Sequence, residues 1–398
     1  MSHDPVPLDP VPLDPALPAR PQLLDHTPAE LAACLAAWDE PPYRAAQLSR
    51  WALARGATTF DAMTDLPVAL RARLAAAFAL PPTRVLTTTR TDDGATTKLL
   101  LDLGGGAVEA VRMDYDPEEY DGAPEGGAAR ARSTVCVSTQ LGCAMGCVFC
   151  ATGLQGFTRN LTPAEILAQV LVFTRDAHAR PVTNVVFMGM GEPLANTTAT
   201  IAAIRWLVHP DGLALRQRGI TVSTVGLRAG IRRLAAERLQ VGLTISLHAP
   251  DDALRRHLVP TAGGTTIDEL LALGREYFAT TGRRVTYAYA LLAGVNDSEP
   301  QAAALAQRLR GERAHVNLVP YNPVAATGLR RPTHSRVRAF QRTLQAAGIN
   351  ATVRIERGAA IAAACGQLRS DYAQSTHAAR DGLELVPLEA VARPRSLS

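Results

Sequence analysis

Hydrophobic and polar positions follow a helical pattern near the start of the chain and a strand pattern after it. A Thr-Pro-Ala-Glu sequence from Thr27 predicts a helix start with a capping box, and apolar residues follow at helical spacing. Helical patterns also cover 43–55 and 67–78, whereas alternating, β-branched stretches cover 84–91 and 98–103. The pattern therefore predicts a small helical domain and then a strand-rich connector.

From residue 133 onward, strand-like runs alternate with segments of helical period. Strands that alternate with helices predict βαβ units and a parallel sheet. About six such units are too few for a closed eight-stranded barrel, so the predicted fold class is α/β, with an open, partial barrel of the (β/α)6 type. The strand-like runs cover 133–139, 182–188, 219–225, 241–247, 284–290, 314–319 and 351–355.

Shifts in composition divide the chain into several predicted regions. The Pro-rich start contains DPVPL twice, and the stretch 113–133 is acidic, then basic and Gly-rich, which is typical of an exposed insertion loop. The predicted regions are a disordered tail (1–22), a helical N-terminal domain (23–82), a strand-rich connector with an insertion loop (83–132), the partial barrel (133–370) and a C-terminal tail (371–398).

The composition is that of a globular protein rather than a disordered or fibrous one, with 47% hydrophobic and 20% charged residues among 398. No apolar run reaches the roughly 18 residues of a membrane helix, and the Pro-rich start lacks the pattern of a signal peptide. We therefore expect no membrane association and a cytoplasmic location. The net charge of +4 neither requires nor excludes an anionic partner, and Lys98 is the single lysine among 41 basic residues.

Cysteine residues are concentrated in one short stretch. Cys143, Cys147 and Cys150 form a C-x3-C-x2-C sequence, with Cys136 just before it. In a reducing compartment such clustering indicates metal or redox chemistry rather than a disulfide framework. Three thiolates can bind three irons of a [4Fe–4S] cluster and leave the fourth iron open to S-adenosylmethionine (SAM). Phe149 favours this interpretation, and a structural zinc site completed by a distant Cys or His is the alternative.

Several residues lie where predicted strands end, which is the edge at which such sheets bind ligands. Gly191-Glu192, in the stretch VVFMGMGEPLAN, can bring backbone and a carboxylate close to the amino group of SAM. Each such residue alone is more often a turn or cap residue, and His248 is by default a structural histidine. The other residues at strand ends are Ser223, Ser246, Leu247, His248 and Asn322.

Taken together, these motifs resemble the RlmN/Cfr family of radical SAM RNA methyltransferases. The resemblance covers about residues 43–368 and includes YRAAQLSRW, MGMGEPL, ITVSTVG, SLHAPDD, GVNDS, HVNLVPYNP and ACGQL. It implies a helical N-terminal RNA-contacting domain joined to a partial radical SAM barrel. It also implies methylation of C2 of an adenine in 23S rRNA, with tRNA as a candidate second substrate. Methylation at C8, as in the Cfr branch, and a zinc-stabilised RNA-binding module without catalysis are the alternatives.

The resemblance also implies a role for each candidate residue. One SAM methylates Cys365, and a second is cleaved to a 5′-deoxyadenosyl radical that activates this methyl group for transfer. A thiolate carrier suits an unactivated carbon, although an inert, buried thiol is the alternative for Cys365. Cys136 then releases the RNA through a transient disulfide with Cys365, and Glu109 accepts a proton. The implied cluster ligands are Cys143, Cys147 and Cys150, and the implied SAM-binding residues are Gly191, Glu192, Ser223, Ser246, Leu247, His248 and Asn322.

Two further expectations and three departures complete the resemblance. An electron donor such as flavodoxin or ferredoxin is implied, and we expect the protein to be a monomer. The chain departs from the RlmN pattern at Ala288, which stands where glutamate is usual, at Ala359-Ala360, which replace acidic residues, and at Gly219, which replaces a common histidine. None of these is an expected cluster ligand, so the departures concern the tuning of the site rather than the radical chemistry.

Overall fold

Short helices form the first part of the chain. The computed structural model describes residues 20–81, 84–116, 131–175, 179–262, 264–354 and 357–369, so the predicted C-terminal tail and most of the predicted first tail and insertion loop lie outside it. The predicted helices are confirmed, and Thr27 caps the first of them through the expected capping box. They are α1 (Pro28–Ala36), α2 (Tyr43–Ser49), which continues as a π-helical turn (Arg50–Ala54), and α3 (Val68–Ala77).

The start of the helical region differs slightly from the prediction. Gln22, which was assigned to the disordered tail, forms a β-bridge with Ala79, and Ala79 N donates to Pro21 O. This pairing ties the beginning of the helical region to its end. The region also contacts the barrel, since the Trp206 indole donates to His26 O at 2.7 Å.

One ten-stranded sheet forms the centre of the molecule. The seven strand runs predicted after residue 133 are all confirmed, and the connector contributes three strands rather than the two that were predicted. The strands are β1 (Arg84–Arg90), β2 (Thr96–Asp102), β3 (Ala107–Tyr115), β4 (Arg132–Cys136), β7 (Asn184–Phe187), β8 (Ile220–Thr224), β9 (Gly242–Ser246), β10 (Thr286–Leu291), β11 (His315–Pro320) and β12 (Asn350–Val353), and a separate pair consists of β5 (Gln140–Gly142) and β6 (Phe157–Asn160).

The order of the strands confirms an open, partial barrel. The strands lie in the order β1-β2-β3-β4-β7-β8-β9-β10-β11-β12. The first four pair antiparallel, and β4 and β7 to β12 pair parallel. No pairing between β1 and β12 closes the sheet within the described residues. Parallel strands place their carboxyl ends at one edge, so the loops that follow them meet there.

Helices cross between the parallel strands and bury their apolar sides against the sheet. Trp206 on one helix and Tyr277 on another are fully buried in this core, as are Val222 and Ile245 on the strands. Within the described residues, no helix combines the length and the apolar character that crossing a bilayer requires. The helices are α4 (Ala151–Leu154), α5 (Pro163–Thr174), α6 (Thr197–Val208), α7 (Arg228–Ala236), α8 (Asp252–Leu258), α9 (Ile267–Thr281), α10 (Glu299–Arg308) and α11 (His334–Ala346).

Candidate active site

The three clustered cysteines lie on the loop between β5 and α4. The loop turns at Gly142, where φ is +72° and a Cβ atom would lie 1.9 Å from Gly156 O, so only glycine fits. The Thr261 hydroxyl holds the loop by donating to Met145 O at 2.5 Å. The backbone path of this loop is therefore fixed by contacts with other parts of the barrel.

The protein environment by itself favours the neutral form of these cysteines. Burial raises the pKa of Cys143 to about 11. Burial is also the main cause of the raised pKa of Cys147, and the nearby Cys150 and Cys143 are the next causes. Burial also raises the pKa of Cys150. Iron binding therefore has to displace the protons, as at other thiolate metal sites.

The donor set fits a cluster with one open iron. Within the described residues, no three His, Cys, Asp or Glu side chains converge on the position of one metal ion. A [4Fe–4S] cluster binds each thiolate through a different iron, so its ligands need not converge on one point. A cluster with an open iron requires its three thiolate ligands to reach the same space, and Cys143, Cys147 and Cys150 all line one cavity.

This cavity lies at the carboxyl ends of the parallel strands and brings together most of the predicted site. Leu247 differs from the rest, because its side chain is buried in the core and its N–H donates to Ala288 O at 2.9 Å. Leu247 therefore contributes backbone rather than a lining side chain. The predicted residues that line the cavity are Cys143, Cys147, Cys150, Gly191, Glu192, Ser223, Ser246, His248, Asn322 and Cys365.

The Gly191-Glu192 turn places a buried carboxylate in the cavity. Gly191 has a φ of +99°, and a Cβ atom there would lie 2.6 Å from Gln140 Cβ. Glu192 Oε1 accepts from Leu194 N at 2.9 Å, and Glu192 Oε2 accepts from Val225 N at 2.8 Å. Burial raises the pKa of Glu192 to about 7, against the opposing effect of these hydrogen bonds. Each carboxylate oxygen can accept a further bond, which suits an ammonium group.

His248 and Asn322 contribute polar atoms to the same cavity. His248 has a φ of +61°, and its Nδ1 accepts from Ala290 N at 2.9 Å. Burial lowers the pKa of His248 to about 3, so the imidazole is neutral. Asn322 Nδ2 donates to Cys365 O at 3.2 Å, whereas its buried Oδ1 accepts no hydrogen bond from the described residues. A buried acceptor of this kind is expected to receive a donor from a bound molecule.

A second, smaller cavity adjoins the first, and Cys365 lines both. Cys136, at the end of β4, lines the second cavity. Burial and, as a smaller cause, the nearby Cys365 raise the pKa of Cys136 to about 12, although the charge of Arg354 opposes both effects. All six cysteines of the chain are free thiols, so the transient disulfide between Cys136 and Cys365 stays a prediction.

The segment that carries Cys365 (358–369) is bonded to the first two residues of α4, which follow the cysteine loop. Ala151 N donates to Gly366 O at 2.8 Å, and the Thr152 hydroxyl donates to Leu368 O at 2.5 Å. Both donors follow Cys150 directly in the chain. The structure thus joins two regions that are more than 200 residues apart in sequence, as the separation of 216 between Thr152 and Leu368 shows.

Glu109 lies one contact away from the two cavities and lines neither. It is on β3, and its side chain shares a face of that strand with Met113, which lines the second cavity. Glu109 Oε1 pairs with Lys98 Nζ at 2.8 Å, and Glu109 Oε2 accepts from Arg369 N at 2.8 Å. The carboxylate is therefore bonded to the segment that carries Cys365.

Sequence reasoning missed several residues that shape the site. The buried guanidinium of Arg255 donates to Val225 O and Ser246 O, so it joins the ends of β8 and β9. Asn296 Nδ2 donates to His248 O at 2.8 Å. Arg255 follows the SLHAPDD motif and Asn296 lies within GVNDS, so proximity to a motif was the available signal.

The structure also places the residues that depart from the family pattern. Ala288 lines the first cavity, and Ala359 begins a short 3-10 helix (Ala359–Ile361). At Gly219 a Cβ atom would lie 2.7 Å from Thr183 O, so any larger residue would force the backbone to shift. Only Ala288 of these residues lies in a position to affect a bound molecule directly.

Comparisons with known proteins agree with this geometry. The radical SAM superfamily model matches residues 137–306, and the model of the ribosomal RNA large subunit methyltransferase N-terminal domain matches residues 21–80. A crystal structure of a radical SAM methyltransferase from Sphaerobacter thermophilus superposes with a TM-score of 0.80 and 48% identity, covering 88% of this chain and 99% of that one.

Curated relatives are similar over most of their length. "Ribosomal RNA large subunit methyltransferase N" of Nitrosopumilus maritimus is 52% identical over 283 residues, which are 70% of this chain and 78% of that protein. "Probable dual-specificity RNA methyltransferase RlmN" of Chloroflexus aurantiacus is 48% identical over 360 residues, which are 87% of this chain and 92% of that protein. The radical SAM family implies a [4Fe–4S] cluster and SAM, and these relatives favour neither a C8 methyltransferase nor a zinc module. The chain belongs to the RlmN family of radical SAM RNA methyltransferases.

Proposed function

We propose that this protein methylates C2 of an adenine in 23S rRNA, and an adenine in tRNA as a second substrate, by way of a methyl group on Cys365. The observation that carries the proposal is the position of Cys365, which borders both the cavity of the clustered cysteines and the cavity of Cys136. The names of the relatives, as large-subunit rRNA and dual-specificity RNA methyltransferases, support the choice of substrates.

The bound groups and the chain divide the reaction between them. When bound, the cluster at Cys143, Cys147 and Cys150 and the SAM beside it supply an electron, a methyl group and a hydrogen-abstracting radical. Glu192 would accept hydrogen bonds from the SAM amino group, and Asn322 Oδ1 would accept from a further donor. Ser223, Ser246 and His248 would line the rest of the bound molecule, with Leu247 fixing the backbone between them.

Cys365 is the methyl carrier in this proposal. Its sulfur forms a bond to the methyl carbon as the bond between that carbon and the SAM sulfur breaks, and the thiol proton leaves to solvent. Because Cys365 lines both cavities, it can receive the methyl group from SAM in the first cavity and can be reached by Cys136 from the second. The adenine has to be unstacked from the RNA to reach Cys365.

Cys136 and Glu109 complete the transfer. Once the methyl carbon has lost a hydrogen atom to the SAM-derived radical, it would form a bond to adenine C2, and the unpaired electron of the adduct would pass to the cluster, when bound. The Cys136 thiolate then attacks the Cys365 sulfur, an S–S bond forms, and the bond from sulfur to the transferred carbon breaks. A thiol reductant later reduces the disulfide. The electron pair of that bond stays with the carbon, which takes up a proton. Glu109 accepts the proton lost from adenine C2. Since the Glu109 carboxylate is bonded to Lys98 and to Arg369 N, this step requires the segment that carries Cys365 to shift.

Three further properties belong to the proposal. A one-electron donor such as flavodoxin or ferredoxin reduces the cluster, because cleavage of SAM requires an electron from the reduced cluster. The protein acts as a monomer in the cytoplasm, where a reducing environment preserves the free thiols.

The regiochemistry of methylation tests the proposal most directly. The protein would be reconstituted anaerobically with iron, sulfide and SAM, incubated with a reductant and unmodified 23S rRNA or tRNA, and the RNA digested for mass spectrometry. We expect 2-methyladenosine in both RNAs. A methyl group found only at C8 would overturn the proposed position, and a product in rRNA alone would overturn the second substrate.

A further inference from the structure

An ion pair between β2 and β3 contacts the segment that carries Cys365 on both sides of the cysteine. Lys98 on β2 and Glu109 on β3 occupy diagonal positions, since Lys98 pairs with Val111 and Glu109 with Leu100. Long side chains can bridge such a diagonal. Lys98 Nζ lies 2.8 Å from Glu109 Oε1, and both side chains are largely buried, at 15% and 9% exposure.

Each partner of the pair also bonds the C-terminal segment. Lys98 Nζ donates to Ala362 O at 3.2 Å, and Glu109 Oε2 accepts from Arg369 N at 2.8 Å. Ala362 precedes Cys365 and Arg369 follows it, so the two contacts lie on opposite sides of the cysteine. The segment approaches β2 closely at Gly358 as well, where a Cβ atom would lie 2.9 Å from Thr96 Cγ2.

We infer that Lys98 is a positioning residue for the methyl carrier. Lys98 holds Cys365 between the two cavities, because it joins Glu109 to the main chain before Cys365. The inference rests on the proposed role of Cys365. It gives Glu109 a second task, because the carboxylate that would accept a proton also holds the backbone that follows the carrier.

The chemistry of lysine suits this task better than that of arginine. The ammonium is a compact group with three donors, so it can bond a carboxylate and a carbonyl oxygen that lie in different directions. A guanidinium is planar, and its donors form a rigid fork. Of the 41 Lys and Arg residues in the chain, Lys98 is the only lysine, and it stands at this position.

The test compares Lys98→Met with two other variants in the full-length, reconstituted enzyme. Lys98→Met/Glu109→Gln leaves no buried charge without its partner, so it separates loss of the contacts with the segment from the instability of a lone carboxylate. Arg205→Met removes an ion pair of similar length, 2.6 Å to Glu237, which joins α6 to the end of α7 rather than to the segment, and it serves as the control. Iron content would show that each variant folds and assembles its cluster.

Two measurements decide the inference. Mass spectrometry of the protein after incubation with SAM and reductant, without RNA, reports the fraction of Cys365 that carries a methyl group. Hydrogen exchange reports the protection of residues 358–369. We expect both Lys98 variants to lower the rate of Cys365 methylation about tenfold or more, because small displacements of a reacting group cost this much. The exchange of the segment should become faster, with SAM cleavage retained and Arg205→Met unchanged.

The outcomes separate this inference from the proposed function. Wild-type rates of Cys365 methylation and unchanged exchange in the Lys98 variants would overturn the positioning role, and so would recovery of both in the double variant. A wild-type protein whose Cys365 never carries a methyl group would overturn the proposed function instead. In that case, faster hydrogen exchange of residues 358–369 in Lys98→Met would still support the conclusion that Lys98 holds this segment in place.

Discussion

The loop of the three clustered cysteines and the segment that carries Cys365 reach the same cavity but are held in different ways. The loop follows β5 at once, and main-chain bonds such as Cys143 N to Gly156 O, at 2.7 Å, fix its path. The segment follows β12, forms no strand of its own, and is held largely by side chains of distant residues, which include Lys98, Glu109, Thr152 and Asn322.

This difference matches the two proposed tasks. A cluster has to stay in one place and hold its open iron toward SAM, which a loop fixed by main-chain bonds provides. A methyl carrier has to face SAM and then RNA, and contacts made by single side chains can be broken and remade locally. Removing a residue of the loop should therefore end all chemistry, whereas removing a residue of the segment should end only part of it.

The largest effect is expected in the loop. Cys147→Ala should reduce the iron content to background and abolish both SAM cleavage and RNA methylation, because two thiolates cannot replace three. Iron analysis and assays of 5′-deoxyadenosine measure this effect. Cys34→Ala is the control, since Cys34 lies in the helical region and should leave both unchanged. A cluster of normal iron content in Cys147→Ala would contradict the assigned ligands.

The segment and its partner should give a different result. Cys365→Ala should lose RNA methylation but keep the cluster and SAM cleavage, because only the carrier is missing. Cys136→Ala should instead trap a covalent adduct between protein and RNA, since nothing attacks the sulfur of Cys365. Denaturing gels of labelled RNA would show the adduct. Normal turnover by either variant would refute its role.

We expect the rate of RNA release to depend on pH, with an effect smaller than that of the cysteine substitutions. Burial raises the pKa of Cys136 to about 12, so below this pH the residue is mostly a thiol and its thiolate fraction rises as the pH rises. Attack requires the thiolate, so the rate should increase about tenfold per pH unit between about pH 7 and 9. Rapid quenching followed by measurement of the released RNA gives this rate.

A variant of Arg354 sharpens the same measurement. The charge of Arg354 lowers the pKa of Cys136, so Arg354→Met should reduce the thiolate fraction and slow RNA release at every pH in this range. A release rate that is independent of pH would show that another step limits the reaction.

The smallest effect is expected far from both regions. Thr266 caps α9, since its hydroxyl accepts from Glu269 N at 3.2 Å and its N–H donates to Glu269 Oε2 at 2.8 Å. Thr266→Ala should lower the free energy of unfolding by about 1 kcal/mol and leave methylation unchanged. Denaturant unfolding measures the loss. A marked fall in activity would show that α9 contributes to the site in a way that neither region explains.

Sequence periodicity predicted most of the fold, although not the third strand of the connector, because local signals agreed with the tertiary structure. Each of the seven strand runs after residue 133 forms a strand, and the capping boxes at Thr27 and Thr162 begin α1 and α5. Most of the residues that the cysteine spacing and the strand-end motifs predicted for the site likewise line the cavity, since a parallel sheet brings its strand ends to one edge.

The contacts of the Cys365 segment were decided only by the tertiary structure. Lys98 and Ala362 are separated by 264 residues, and Glu109 and Arg369 by 260, so no local pattern records that they meet. Arg255 acquires its role in the same way, where β8 and β9 become neighbours in the sheet, and Arg354 acquires its role across the second cavity, which Cys136 also lines. The spacing of the cysteines along the chain indicated the chemistry of the cluster, whereas the tertiary structure determined which groups the proposed methyl carrier, Cys365, can reach.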